Sequence, residues 1–195
     1  MIRKRRDLLL AGAALALSPR PAIAAEDLWQ RLRRGNAVLL MRHATTEAGL
    51  GDPKGYSLDD CRTQRNLSEA GRAEARRVGE RLARERVAIS RVYSSPWCRC
   101  RDTASLAFGR FEDWEALSSV FDFPEREPDF TERVKKRIAS IDRRAPKGNI
   151  AMVTHNVNIA ALTRASVAPA EIVVVEAQGC CGLRVLGRLQ LAAQE

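Results

Sequence analysis

The stretch Val38-Leu39-Leu40-Met41-Arg42-His43-Ala44-Thr45-Thr46 decides the fold. Four apolar residues run unbroken into Arg42-His43, and the hydrophobicity then stops. A short apolar run with polar ends reads as a strand buried on both faces. In open α/β sheets, chemistry collects just beyond the carboxyl ends of such strands, and Arg42 and His43 fall there. The chain has one other histidine, His155. It follows a second run of the same kind, Asn149-Ile150-Ala151-Met152-Val153-Thr154. Both imidazoles are therefore expected at the same rim of one sheet.

Outward from that strand, residues 26–34 read as a short helix ended near Gly35. Residues 45–65 are polar and carry Gly49, Gly51, Pro53 and Gly55. A loop of that length in a compact domain is either functional or a mobile surface excursion; after the first strand it is placed to cover the site. Ser68 can cap the next helix, whose apolar face is Ala75, Val78 and Leu82. The arginines at 72, 76, 77, 81 and 84 read as its solvated face. Residues 91–95 form a strand that Pro96 stops. Pro96 also opens a helix carrying Trp97, Arg99, Thr103 and Ala104, which ends near Gly109. Residues 111–128 read as irregular. Phe130, Val134, Ile138 and Ile141 mark a further amphipathic helix, with Arg143-Arg144 suited to its carboxyl end. A helix through about Arg164 follows His155. Two strands over 171–176 and 183–191 flank a turn at Gly179. Strands alternating with helices predict an α/β three-layer sandwich: a mainly parallel central sheet with helices on both faces. One domain is expected over 26–195.

The chain has 195 residues, 45% of them apolar and 29% charged, which suits a globular domain with a real core. Its formal charge is +9, and residues 1–25 hold five basic side chains and one acidic, so +5 remains for the rest. That balance suits an anionic substrate, and with no interleaving of aromatic and basic residues it does not point to nucleic acid. Residues 1–25 read as an export signal. Arg3-Lys4-Arg5-Arg6 is its charged start, residues 8–17 are a short apolar region, and Ala22-Ile23-Ala24 fits a cleavage site. Arg5-Arg6-Asp7-Leu8-Leu9 resembles a twin-arginine signal, an ordinary secretory signal being the other reading. The apolar part is too short for an ordinary membrane span, so no stable insertion is expected after cleavage. The mature chain is expected in the periplasm or outside the cell. Five cysteines suit an oxidising compartment, and the odd number leaves at least one unpaired. None has the spacing of a zinc site. Cys180-Cys181 reads as two small buried residues.

Three segments each end a strand with a polar group: Arg42-His43, the turn Ser94-Ser95-Pro96-Trp97-Cys98-Arg99, and Thr154-His155. Two guanidiniums and two imidazoles at one rim suit phosphoryl chemistry. The transferred group spreads negative charge over three oxygens. Arginine forks bind those oxygens in a fixed plane, and a helix amino terminus adds aligned N–H groups. A neutral imidazole can attack phosphorus, and neighbouring arginines discourage its protonation.

These residues resemble the histidine phosphatase superfamily, the phosphoglycerate-mutase-like group. The likeness lies in Arg42-His43, in Ser94-Ser95-Pro96-x-x-Arg99-x-x-x-Thr103-Ala104, in Thr154-His155, and in Leu67-Ser68-Glu69-Ala70-Gly71-Arg72. The resemblance implies His43 as the phosphorylated nucleophile, with Arg42, Arg99 and His155 binding the phosphoryl group. It implies no metal and no organic cofactor. Two departures stand out. Ala44 replaces the glycine that usually follows the nucleophile, and alanine lacks glycine's freedom at positive φ. Leu117-Ser118-Ser119 replaces a Leu-x-Glu motif that supplies a general acid in many members. Asp122 is the replacement candidate and Glu125 the next, unless Asp122 is only a solvated loop carboxylate. Without an acid the enzyme should prefer good leaving groups, such as phosphohistidine or phosphoramidates.

The expected activity is an exported phosphomonoesterase. Its substrate would be a phosphorylated small molecule, an envelope phosphate or a phosphoprotein. The alternative from another class is a protein of the same fold that binds a phosphorylated ligand without turnover. A mutase ranks lower, because the short chain has no obvious extra segment to exclude water. Blander readings exist for single residues: His43 as a satisfied strand-end histidine, and Arg99 as a helix cap or a partner of Asp102. Cys61 lies in the long loop, and Cys98 and Cys100 flank Arg99. A disulfide from Cys61 to one of them would pin the loop over the pocket; small buried thiols are the other reading.

Overall fold

The computed structural model describes residues 25–141, 148–179 and 182–192. The expected leader (all but its last residue), Arg143-Arg144 and Cys180-Cys181 lie outside the described residues. The elements run α1 (Ala25–Arg33), β1 (Val38–Arg42), α2 (Glu69–Arg84), β2 (Ile89–Ser94), α3 (Cys98–Phe108), β3 (Glu112–Asp113), α4 (Glu127–Ala139), β4 (Asn149–Thr154), α5 (Asn156–Thr163), β5 (Ile172–Gln178) and β6 (Gly182–Leu189).

The strands form one sheet in the order β3-β2-β4-β1-β5-β6. From β3 to β1 all neighbours are parallel. β5 lies antiparallel to β1, and β6 antiparallel to β5. The central strands are covered on both faces, as their unbroken apolar runs require. Leu39, Met41, Ala151 and Val153 pack toward α1, α2 and α3, where Leu32, Val78, Leu82 and Ala104 meet them. Val38, Leu40 and Met152 face the other way, onto Phe130, Val134 and Ile138 of α4 and Ile159 of α5. This is the expected three-layer α/β sandwich. Each fully buried Leu or Met of β1 contributes roughly 1.5–3 kcal/mol of apolar burial.

The local signals hold at most element ends. Ser68 caps α2, its Oγ accepting the Gly71 N–H at 3.1 Å. Gly71 lets that first turn close on the loop after β1: a Cβ there would lie 1.8 Å from the Thr45 carbonyl oxygen. Gly109 ends α3 at φ 73°.

Three readings are revised. The segment over 111–128 is not wholly irregular, since β3 adds a two-residue parallel edge strand against Tyr93 and Ser94. α4 starts at Glu127, before its first apolar marker, with Pro128 in the first turn where its missing N–H costs nothing. The α2 arginines are not one solvated face. Arg72 pairs with Asp102, Arg77 donates to the Ala192 carbonyl, and Arg81 lies 5.7 Å from the Trp29 ring, leaving Arg76 and Arg84 exposed. Among the described residues no helix is long and apolar enough to cross a membrane.

Candidate active site

The β1–β4 register pairs Arg42 with Thr154, so the next residue of each strand is a histidine. Parallel strands lie about 4.8 Å apart, and the two imidazoles accordingly sit side by side, with centroids 5.5 Å apart and planes at 67°. The backbone of His43 is clamped between two elements. Its N–H donates to the Thr154 carbonyl at 2.9 Å, and its carbonyl accepts from Ala170 N at 3.2 Å.

Hydrogen bonds assign the ring protons. His43 Nδ1 lies 2.9 Å from the Ala44 carbonyl oxygen. A carbonyl only accepts, so Nδ1 carries the proton and Nε2 keeps its lone pair. Burial, followed by the charges of Arg99, Arg42 and Arg65, outweighs that bond and pushes His43 down to about 3. The ring is neutral, and nucleophilic at Nε2, across the physiological range. His155 is held well below the usual histidine range, first by burial, then by His43, Arg99 and Arg42. Its Nε2 is 2.9 Å from Ser95 Oγ. Ser95 Oγ accepts the Trp97 N–H at 3.4 Å, so its own proton can donate to His155. With Ser95 donating, the His155 proton sits on Nδ1.

Both histidines open on a cavity of about 200 Å³, also lined by Arg42, Arg65, Arg99, Asp52, Ser119 and Asp122. Arg42 Nε, Arg65 Nε and Arg99 Nε are each buried without a hydrogen-bond partner. Unpaired buried donors are costly, and the three guanidiniums that line the cavity give it a concentrated positive charge that favours an anion. Crowding shows in the titration of the group. Burial and Arg65 push Arg42 down, and burial and Arg99 push Arg65 down. Asn156 and Val157, the first residues of α5, complete that wall.

The long loop covers the site and supplies groups that no local sequence signal marks. Asp52 accepts from Arg99 Nη1 at 2.8 and 3.0 Å, from Trp97 Nε1 at 3.2 Å and from Arg65 N at 3.0 Å. Its side chain is 2% exposed. Burial raises its carboxyl, but the bonds from Arg99 and Arg65 prevail and hold it below the usual range. Arg65 donates to Thr46 Oγ1 and the Gly49 carbonyl, each at 2.8 Å. Arg99 therefore pairs with Asp52 and not with Asp102, which Arg72 takes. The one available clue was indirect: a buried arginine needs a counter-ion, but Asp52, Asp59 and Asp60 all lie in that loop. Cys61 forms a disulfide with Cys98, joining the loop to the residue before Arg99. Among the described residues Cys100 is the free thiol; it is buried, and burial pushes it up to about 12.

Ala44 needs no glycine-like backbone, as its φ is not positive. It is buried, and its N–H donates to Thr103 Oγ1 at 3.0 Å. Thr45 is held by Glu74 through both its N–H and its hydroxyl. At the acid position, Ser119 is buried in the cavity wall, with its Oγ accepting from Phe121 N at 3.3 Å. Asp122 is an exposed carboxylate on the same wall, while Glu125 does not line the cavity. Among the described residues no group of three or more His, Cys, Asp or Glu is placed to hold a metal ion.

The family model described as the histidine phosphatase superfamily, branch 1, matches residues 38–120. Over that stretch the chain is similar to the histidine phosphatase superfamily. A comparison with curated proteins gives no match. Solved structures share the fold. The protein histidine phosphatase SixA, complexed with tungstate, superposes with TM-score 0.56 at 16% identity, over 79% of this chain and 96% of that one. Phosphoserine phosphatase from Entamoeba histolytica, complexed with phosphoserine, gives 0.54 at 15%, over 78% and 95%. Phosphoglycerate mutase from Thermus thermophilus gives 0.52 at 22%, over 78% and 98%. The family model ends before His155, so that residue's place in the site rests on the β1–β4 register.

Proposed function

We propose that this protein is an exported phosphomonoesterase working through a phosphohistidine on His43. The observation that carries the reading is the convergence of three guanidiniums, Arg42, Arg65 and Arg99, on one cavity with a neutral imidazole whose Nε2 holds a lone pair. His43 Nε2 gives its pair to phosphorus as the bond from phosphorus to the leaving oxygen breaks. Arg42, Arg65, Arg99 and His155 Nδ1–H hold the three equatorial oxygens. The leaving oxygen keeps its electron pair and takes a proton from the Asp122 carboxyl. Water then attacks phosphorus, its proton returns to Asp122, the N–P pair returns to Nε2, and phosphate leaves. Phosphatases stand among the structural relatives, in keeping with this reading. The disulfide supports export, since such bonds persist in oxidising compartments.

A second reading follows from Ser119 standing where many relatives carry glutamate, with one exposed carboxylate nearby. If Asp122 does not act as acid, the natural substrate is a phosphohistidine or phosphoramidate, whose leaving nitrogen needs less help. One experiment tests both. Purified mature protein is incubated with p-nitrophenyl phosphate and with ethyl phosphate, as wild type, His43→Ala and Asp122→Asn. His43→Ala should lose all turnover and all acid-labile phosphohistidine label. Asp122→Asn should lose at least about tenfold more with ethyl phosphate, the poor leaving group. Equal losses on the two substrates would remove Asp122 as acid. Ligand retained intact by the wild type would leave a binding protein instead.

A further inference from the structure

A second cleft adjoins the phosphoryl cavity. It measures about 280 Å³; its apolar wall is Tyr56, Leu58, Pro96, Trp97, Phe123 and Phe130, and the ion-paired Glu115 and Arg126 also border it. Ser119 lines both spaces, so they share a wall. Aromatic contacts lead from the cleft to the catalytic histidines: Tyr56 lies 6.1 Å from Trp97, and Trp97 5.5 Å from His155. The rim is apolar as well. Four large hydrophobics are strongly exposed among the described residues, and Leu50 (88%), Phe121 (52%) and Phe123 (43%) all border these two openings. A Cβ added at Gly51 would lie 3.9 Å from the Phe121 ring, and both residues line the phosphoryl cavity, so the long loop and the segment after Ser119 come together at its mouth. Single exposed apolar residues are ordinary, but a cluster beside a charged cavity is not.

The geometry points to a substrate with two unlike ends: a phosphoryl group in the cationic cavity and a hydrocarbon leaving group in the aromatic cleft. This rests on the phosphoryl-binding reading of the cavity given above. A sugar or serine leaving group would lay hydroxyls or charges on Phe123 and Trp97, while the charged residues of the wall, Glu115 and Arg126, already pair with each other. A hydrocarbon chain or ring instead gains by leaving water. Asp122 stands at the seam: it lines the phosphoryl cavity, and its charge helps raise the Tyr56 phenol, which burial raises first. The leaving oxygen would cross that seam.

Binding to the His43→Ala protein, which cannot turn over, tests the cleft apart from the chemistry. Ethyl, butyl, hexyl and octyl phosphate are titrated by calorimetry below their aggregation concentrations. Kd should fall by up to about fourfold per methylene until the cleft is full. Phe123→Ala and Tyr56→Ser, each added to His43→Ala, should flatten that slope and leave the Kd of ethyl phosphate unchanged. A slope that is flat, or that neither variant alters, overturns the inference. 1-Naphthyl phosphate against octyl phosphate then distinguishes a flat ring from a chain, the tighter binder naming the shape. Turnover of p-nitrophenyl phosphate by the wild type is read in parallel. Its absence would sink the phosphatase reading alone, and a flat slope beside normal turnover would sink only the hydrocarbon preference.

Discussion

The two halves of the site are held in different ways. Arg42, His43 and His155 ride on or just past β1 and β4, adjacent strands whose ladder sets their spacing to within a residue. Asp52 and Arg65 ride on a loop held by one disulfide, one buried ion pair and a few hydrogen bonds. Arg99 joins them: its helix follows β2, yet its side chain is aimed by Asp52. The strand-borne half, which carries the proposed nucleophile, is rigid by construction. The loop-borne half tunes charge and aim, and it can be loosened without unfolding the sheet.

The sharpest test of that difference compares one residue from each half. Arg42→Gln should lower kcat/KM on the order of 10² to 10³-fold, as for loss of one transition-state donor, with little change in melting temperature. Asp52→Asn should lower kcat/KM by only about 10- to 10²-fold, through misaimed Arg99. It should also destabilise the protein by about 3 kcal/mol, because a buried guanidinium loses its partner. Steady-state kinetics and thermal melts on both variants decide; the reverse pattern would break the comparison. A gentler change comes from Cys61→Ser with Cys98→Ser. Stability should fall by about 2–4 kcal/mol in urea titrations. Freeing the loop should reduce kcat/KM by roughly three- to tenfold. Wild-type activity after the replacement would show that the loop does not need its staple.

The smallest effect concerns pH. His43 sits at about 3, below the usual 6.5, so kcat/KM should show no histidine limb near pH 6.5 once the substrate's own ionisation is removed. An ordinary histidine would lose about fivefold between pH 6.5 and 5.5. The same depression has a cost in stability. Between 6.5 and about 3 the unfolded chain binds more protons at this site, so folding should weaken progressively as pH falls through that window. His155 acts in the same direction. Urea midpoints measured from about pH 7 to 4 should fall less steeply for His43→Ala than for the wild type.

Much of this was legible in the chain because strand ends are local events. An apolar run that stops at Arg42-His43, and another that stops at Thr154-His155, placed two imidazoles at one rim before any coordinates. Ser68 and Gly109 marked helix ends by the same local logic. Ala44 raised a doubt that its negative φ removes. Cys61, Cys98 and Cys100 left a cross-link near Arg99 and small buried thiols both open, and Cys98 and Cys100 could not be told apart as partner, because they differ only in the way they face on α3. Asp122 was visible as a carboxylate of the right neighbourhood, and the fold puts it on the cavity wall without deciding its role.

What the amino-acid sequence determined alone was periodic and short-range: which runs are strands, which faces of helices are apolar, and which polar groups end them. Those properties depend on neighbours within about one turn or one strand. What only the tertiary structure decided was long-range and polar. Asp52 meets Arg99 across 47 residues, Cys61 meets Cys98 across 37, and the apolar cleft is assembled from segments far apart in the chain. A buried cation demands a partner, but the chain offers several carboxylates with the same local signature. Which one arrives is chosen by loop closure and packing, and these leave no pattern in the order of residues.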